Sequence, residues 1–189
     1  MNLEADVLDM QEALRTLEMI GKENDLWMHV ESERAGDVKG ESDRIFIDQK
    51  SRLELLGYYI SGGSLTDSTG SKSKGRRQYS SLRILRATDA ATASLMALFG
   101  ANDDITVELS KFKAGGDVSK DLQPTFAITI KKARVKTYTL LSGGGAHTDV
   151  AVEIIEFAFR TIKIESAPQT STGLRGAVRS FSDTMDSAA

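Results

Sequence analysis

At positions 105–110 and again at 126–131 apolar side chains fall on every second residue, and that period decides what this chain can build. Ile105, Val107 and Leu109 alternate with Thr106, Glu108 and Ser110; Phe126, Ile128 and Ile130 alternate with Ala127, Thr129 and Lys131. Successive side chains of a strand point to opposite faces, so this spacing makes strands with one apolar and one wet face. Between 152 and 164 the apolar set runs Val152, Ile154, then Ile155, Phe157, Phe159, then Ile162, Ile164. The phase slips twice, which predicts bulges in a strongly bent strand, as barrels require. Strand patterns extend from about Leu26 to Ile164, and the whole chain holds only 2 prolines. One helix interrupts them. Thr88 or Asp89 can cap it, Leu95, Leu98 and Phe99 give its i, i+3, i+4 face, and Gly100 ends it. The expected fold is mainly β, an antiparallel β-barrel or two-sheet sandwich with one α-helix.

The N-terminal stretch has a different period. Leu3, Val7, Met10, Leu14 and Leu17 recur at steps of four and three, a narrow stripe on a helix over residues 3 to 20, with Gly21 as its stop. The chain therefore divides into an amphipathic helical extension (1–24), a β-domain (25–169) and a small polar tail (170–189). The helix stripe is expected to dock on its own domain or on a neighbouring subunit. In the tail, Leu174, Val178, Phe181 and Met185 can line one face of a conditional helix. Two connections are rich in glycine: a long polar loop over residues 61 to 75, and Ser142-Gly143-Gly144-Gly145-Ala146. A polar loop of the first kind inside a compact domain is usually functional or disordered.

Chemistry is sparse. There is no cysteine, which removes disulfides, thiolate metal sites and thiol nucleophiles. His29 and His147 are the only histidines, one in a strand pattern and one beside the triple glycine, with no second ligand or nucleophile placed next to either. Carboxylates are scattered, and Asp103-Asp104 reads as turn chemistry after the helix. Gly143-Gly144-Gly145 lacks the lysine and helix of a phosphate-binding loop. No catalytic residue, cofactor or metal site is expected. The formal net charge is −3, and the one basic cluster, Lys72, Lys74, Arg76 and Arg77, has no interleaved aromatics. It suits a loop that meets an acidic partner surface better than it suits nucleic acid. No apolar run approaches the roughly 20 residues that span a bilayer. The acidic start, Met1-Asn2-Leu3-Glu4-Ala5-Asp6, is unlike a signal peptide, so synthesis in the cytoplasm and export by a machine that needs none is the expectation.

Seven segments in order carry a resemblance. They are the loop Gly36-Asp37-Val38-Lys39-Gly40-Glu41-Ser42, the strand Leu53 to Ile60, the loop 61–75, and the helix Asp89 to Gly100 with Leu95-Met96 inside. Lys113-Ala114-Gly115-Gly116, Ile128-Thr129-Ile130-Lys131 with Val135, and Phe157-Ala158-Phe159 with the exit Pro168-Gln169 complete the series. Over roughly residues 26 to 169 the chain resembles the haemolysin-coregulated protein (Hcp) family, tube subunits of the type VI secretion system with a tail-tube fold. The resemblance implies homo-hexameric rings that stack into a tube inside a contractile sheath. It also implies contact with baseplate and spike proteins, and effector proteins carried in the lumen. On this reading Lys72, Lys74, Arg76 and Arg77 sit on a ring-stacking loop, and Tyr59 lies where the family's second strand faces the lumen. The helix over residues 1–24, Tyr58-Tyr59-Ile60 in place of an alternating tryptophan pattern, and the ending beyond Ser171 depart from the family. A tail-tube protein of a phage or other contractile injection particle shares the same fold and mechanism. So does a secreted effector carrier, although the stretch after Pro168, about twenty residues, is too short for an enzyme domain.

Overall fold

A computed structural model describes residues 25–65, 76–112, 123–142, 151–168 and 176–185. The expected helix over residues 1–24, the Lys113–Gly116 turn, the triple glycine and His147 lie outside them. In chain order the elements are β1 (Leu26–Ser32), β2 (Gly36–Asp37), β3 (Leu53–Glu54), β4 (Gly57–Tyr59), β5 (Gly62–Leu65), β6 (Arg76–Tyr79) and β7 (Leu82–Ala87). Then come α1 (Ala91–Ala101), β8 (Ile105–Lys111), β9 (Phe126–Leu141), β10 (Val152–Ala158), β11 (Thr161–Ser166) and β12 (Arg179–Thr184). The main sheet runs β2-β1-β8-β9-β10-β7-β4, with β3 also on β1, β11 also on β9 and β12 beyond β11; β5 and β6 form a separate two-stranded ribbon.

The alternation read from the sequence places the core. Ile105, Val107 and Leu109 of β8 and Ile128 and Ile130 of β9 face inward, joined by Met28 and Val30 of β1. Leu82 and Ile84 of β7, Ile155 and Phe157 of β10, and Leu95 and Leu98 of α1 close the same cluster. Each such side chain, taken fully out of water, contributes about 1.5–3 kcal/mol.

The bend is centred on β9. Its first half lies between β8 and β11, and its second half pairs with β10. At the junction Lys132 has φ +49°, a left-handed conformation that a lysine adopts only under constraint. Opposite it the partner strand breaks at Phe159-Arg160 between β10 and β11. The register against β10 shifts four residues further on: Glu156 pairs with Thr137 but Phe157 pairs with Val135, so the extra residue is Lys136. The bulge therefore belongs to β9, not to the stretch whose phase slips. Burial of β10 on both faces explains that slip, since Val152 through Phe157 are all buried. Among the described residues the sheet folds about β9 without closing into a barrel, because β4 and β12 are each paired on one side only.

Four local expectations change. Leu53 to Ile60 is not one strand but a crossover: β3 pairs with β1, Leu56 N–H donates to Leu85 O at 2.9 Å, and β4 pairs with β7. The connection over residues 61–75 begins as strand β5, which pairs with β6 just beyond it, Gly62 opposite Tyr79 and Leu65 opposite Arg76. Helix α1 runs past Gly100 and stops at Asn102, whose left-handed backbone (φ 52°) returns its N–H to Phe99 O. Its inward face is Ala91, Leu95 and Leu98, while Phe99 is exposed. At the other end Asp89 Oδ1 accepts the Ala91 N–H (2.8 Å) and Glu41 Oε1 accepts that of Ala90 (3.1 Å). Finally, residues 179–184 form strand β12, not a helix, because β11 offers a backbone edge that six consecutive residues can pair with. Backbone hydrogen bonds to a formed edge outweigh a sparse apolar stripe on an isolated turn of helix.

Candidate assembly interface

The β5–β6 ribbon leaves the sheet at a clasp between Ser61 and Ser80: Ser80 N–H donates to Ser61 O, and Ser61 N–H donates to Ser80 Oγ, both at 2.9 Å. Its base leans on the last strand. The Tyr79 hydroxyl donates to Asp183 Oδ2 at 2.9 Å, and the Arg77 guanidinium lies 3.3 Å from the same oxygen. Arg77 also stacks over Phe181 at 5.9 Å, and the Tyr79 ring packs on Phe159 at 6.4 Å. Burial, then the hydrogen bond and charge of Asp183, raise the Tyr79 hydroxyl above its usual value, so it stays a donor.

Of the basic cluster, Lys72 and Lys74 lie outside the described residues and Arg76 stands on β6. Arg77 is exposed yet already engaged by Asp183 and Phe181 within the chain. Tyr59 is exposed on β4, opposite Arg83, beside an exposed Tyr58 whose hydroxyl is raised by partial burial. The stripe Leu3, Val7, Met10, Leu14 and Leu17 lies outside the described residues.

Among the described residues β4 and β12, like β2 and β3, are paired on one side only, and β4 and β12 lie at edges with exposed apolar residues. Tyr59 marks β4, and Phe181 marks β12, most of whose residues are exposed, with exposed Val178 just before it. A free edge of this kind is a template for pairing with another chain unless it is used in an ordered contact. A second exposed apolar pair was not foreseen from sequence. Residues 44–52 cross the outer face of β1 and β8, with Phe46 packed on Trp27 and Phe112 at 5.3 Å each. Phe46 faces in, so its neighbours Ile45 (78% exposed) and Ile47 (51%) face out. The signal was present, an apolar triplet within a run of charges, and an extended crossing segment gives it an outer and an inner side.

Charges pin this strap. Arg44 Nη1 lies 2.5 Å from Asp25 and over the Trp27 ring at 5.1 Å. Buried Arg52 donates to Asp48 at 2.6 and 2.7 Å and to Glu108 at 3.0 Å, and Lys50 donates to Glu108 at 2.6 Å. The hydrogen bond from Arg52 holds the Asp48 carboxyl below its usual range against the cost of burial. For Glu108 burial pushes upward, but Lys50 and Arg52 together outweigh it and the carboxyl also titrates low. Asp103 and Asp104 do more than shape a turn. Asp103 pairs with Arg34 at 2.9 Å, and Asp104 with Arg134 at 2.8 Å, tying the β1–β2 turn and β9 to the end of α1.

Among the described residues, strand edges paired on one side, the exposed pair Ile45 and Ile47 and a separate β5–β6 ribbon define a mainly antiparallel β-protein with surfaces suited to association with other chains. A family profile described as "Type VI secretion system effector, Hcp" matches residues 28–165. This chain belongs to that Hcp family, and it is a tube subunit of the type VI secretion system. Solved structures agree in fold. One titled a type six secretion system protein is 24% identical, covers 82% of this chain and 91% of its own, and has a TM-score of 0.65. An Hcp1 mutant from E. coli EAEC 042 is 14% identical over 86% of this chain and 99% of its own, TM-score 0.64. Hcp1 from Salmonella typhimurium is 15% identical over 85% and 95%, TM-score 0.61. No curated protein sequence matches the chain. Among the described residues no helix is long and apolar enough to cross a membrane.

Proposed function

We propose that copies of this chain join head to tail through their open sheet edges into hexameric rings, and that rings stack into a tube ejected by a contractile sheath. The observation that carries this reading is two edge strands, β4 and β12, each paired on one side only among the described residues and each bearing exposed apolar side chains, in a member of a tube family. A heterologous contact whose rotation closes uses both surfaces once per subunit. The basic cluster Lys72, Lys74 and Arg76 docks on acidic groups of the adjacent ring. The stripe Leu3, Val7, Met10, Leu14 and Leu17 docks the N-terminal extension on a ring edge until the tube polymerises. Tyr59 lines the lumen, where effector proteins ride. Baseplate and spike proteins bound the two ends of the assembly. The work is mechanical, and no substrate is transformed. Electron micrographs of the purified protein, with its mass in solution, test the core of this. Annular particles of uniform diameter are expected; solitary particles under every condition of salt and concentration would overturn it.

A further inference from the structure

We propose that His29, Glu31 and Asp37 form a site for one divalent transition-metal ion of the zinc type. His29 and Glu31 are two apart on β1 and so share a face of the sheet, the face opposite Met28 and Val30. Asp37 is the register partner of Glu31 across the β1–β2 pair. One donor atom from each lies within 4.8 Å of the others. A further observation points to a cation there. His29 is only 3% exposed, and its Nδ1 lies 2.8 Å from the carbonyl oxygen of Ser51. A carbonyl only accepts, so Nδ1 carries a ring proton, and in the neutral imidazole Nε2 presents a lone pair.

That lone pair faces Asp37 Oδ1 at 3.7 Å, beyond hydrogen-bond range, acceptor against acceptor. A cation between them turns this opposition into two bonds. Histidine ligands to metals characteristically donate their other N–H to a carbonyl or carboxylate, the orientation Ser51 enforces here. Bonds of about 2.0–2.2 Å to nitrogen and oxygen require only a small closure of the donors. Glu31 and Asp37 are exposed, so they can close without disturbing the core. Glu108, opposite His29 in register, is held by Lys50 and Arg52 and is not available as a ligand. One imidazole with two carboxylates suits zinc, nickel, cobalt or copper, whereas magnesium and calcium prefer oxygen alone. The bound ion would cross-link the turn after β1 to the middle of that strand, and water would complete its shell. This site stands whether or not rings form.

The test titrates Zn2+ into untagged, chelator-stripped full-length protein by calorimetry, in parallel with thermal melting. One ion per chain is expected, with a raised Tm and no comparable heat from Mg2+. Glu31→Gln and Asp37→Asn, both at exposed positions, should each weaken binding by about tenfold or more. His147→Ala should leave it unchanged. Absence of stoichiometric binding, or wild-type affinity in both carboxylate variants, would overturn the assignment. So would loss of binding in His147→Ala alone.

Discussion

Arg86 lies fully inside the protein, where it meets Glu153 and, at 2.5 Å, Asp89, while the Tyr138 hydroxyl donates to the same Glu153 carboxylate. Burial, then the Glu153 hydrogen bond and charge, raise the Tyr138 hydroxyl far above its usual value. Breaking such a pair leaves a charge without water or partner, which costs about 3–5 kcal/mol, whereas replacing both members by apolar groups is often neutral. Arg86→Met should therefore lose about 3–5 kcal/mol in chemical denaturation. Arg86→Met combined with Glu153→Leu should recover most of that, with Tyr138 still able to donate to Thr92 O, 3.3 Å away. A double variant as unstable as the single one would show that the pair is not where the stability resides. None of this was legible in sequence. Arg86 and Glu153 lie in strand stretches as ordinary charges, and only the pairing of β7 with β10 puts Glu153 opposite Arg86.

Among the elements, β12 shows how a neighbour overrides local pattern. Val178, Phe181 and Met185 have a helical spacing, but Ile164 stands opposite Phe181 and Ile162 opposite Asp183 in an antiparallel ladder. The strand also supplies Asp183, which receives Tyr79 and Arg77 from the ribbon. Asp183→Ala should loosen the ribbon at its base while leaving the core intact. Hydrogen exchange should show faster deuteration of Gly62–Leu65 and Arg76–Tyr79 with unchanged protection in β8 and β9. Equal protection of the ribbon in both proteins would mean that the Ser61–Ser80 clasp alone holds it. Helix α1, by contrast, was legible in existence and place because Leu95 and Leu98 face the core. Its end was not, since Asn102 adopts the left-handed stop that glycine usually takes.

At the scale of the whole molecule, function rests on surfaces between copies. Reversing the charge of Lys72, Lys74 and Arg76 should shorten or abolish tubes while single rings persist, and wild-type stacking should weaken as salt screens the contact. Arg77 is kept out of this variant because Asp183 already engages it, and its loss would disturb the ribbon itself. Sedimentation and electron microscopy separate rings from tubes; tubes of unchanged length in the triple variant would exclude these cations from stacking.

Period two in β8 and β9 was enough to specify half-buried strands and the inward set Ile105, Val107, Leu109, Ile128 and Ile130, and Leu95 with Leu98 the helix between strands. These features are local, because alternation along a strand assigns each side chain to a face whatever its partner turns out to be. Whether the sheet closes, which strand carries the bulge, and where Asp183, Ile45 and His29 end up depend on which strands become neighbours. Pairing partners are set by packing between residues far apart in the chain, and that information is carried by no single stretch of it. Tertiary structure alone brought Asp37 to His29, Asp183 to Tyr79 and Glu153 to Arg86.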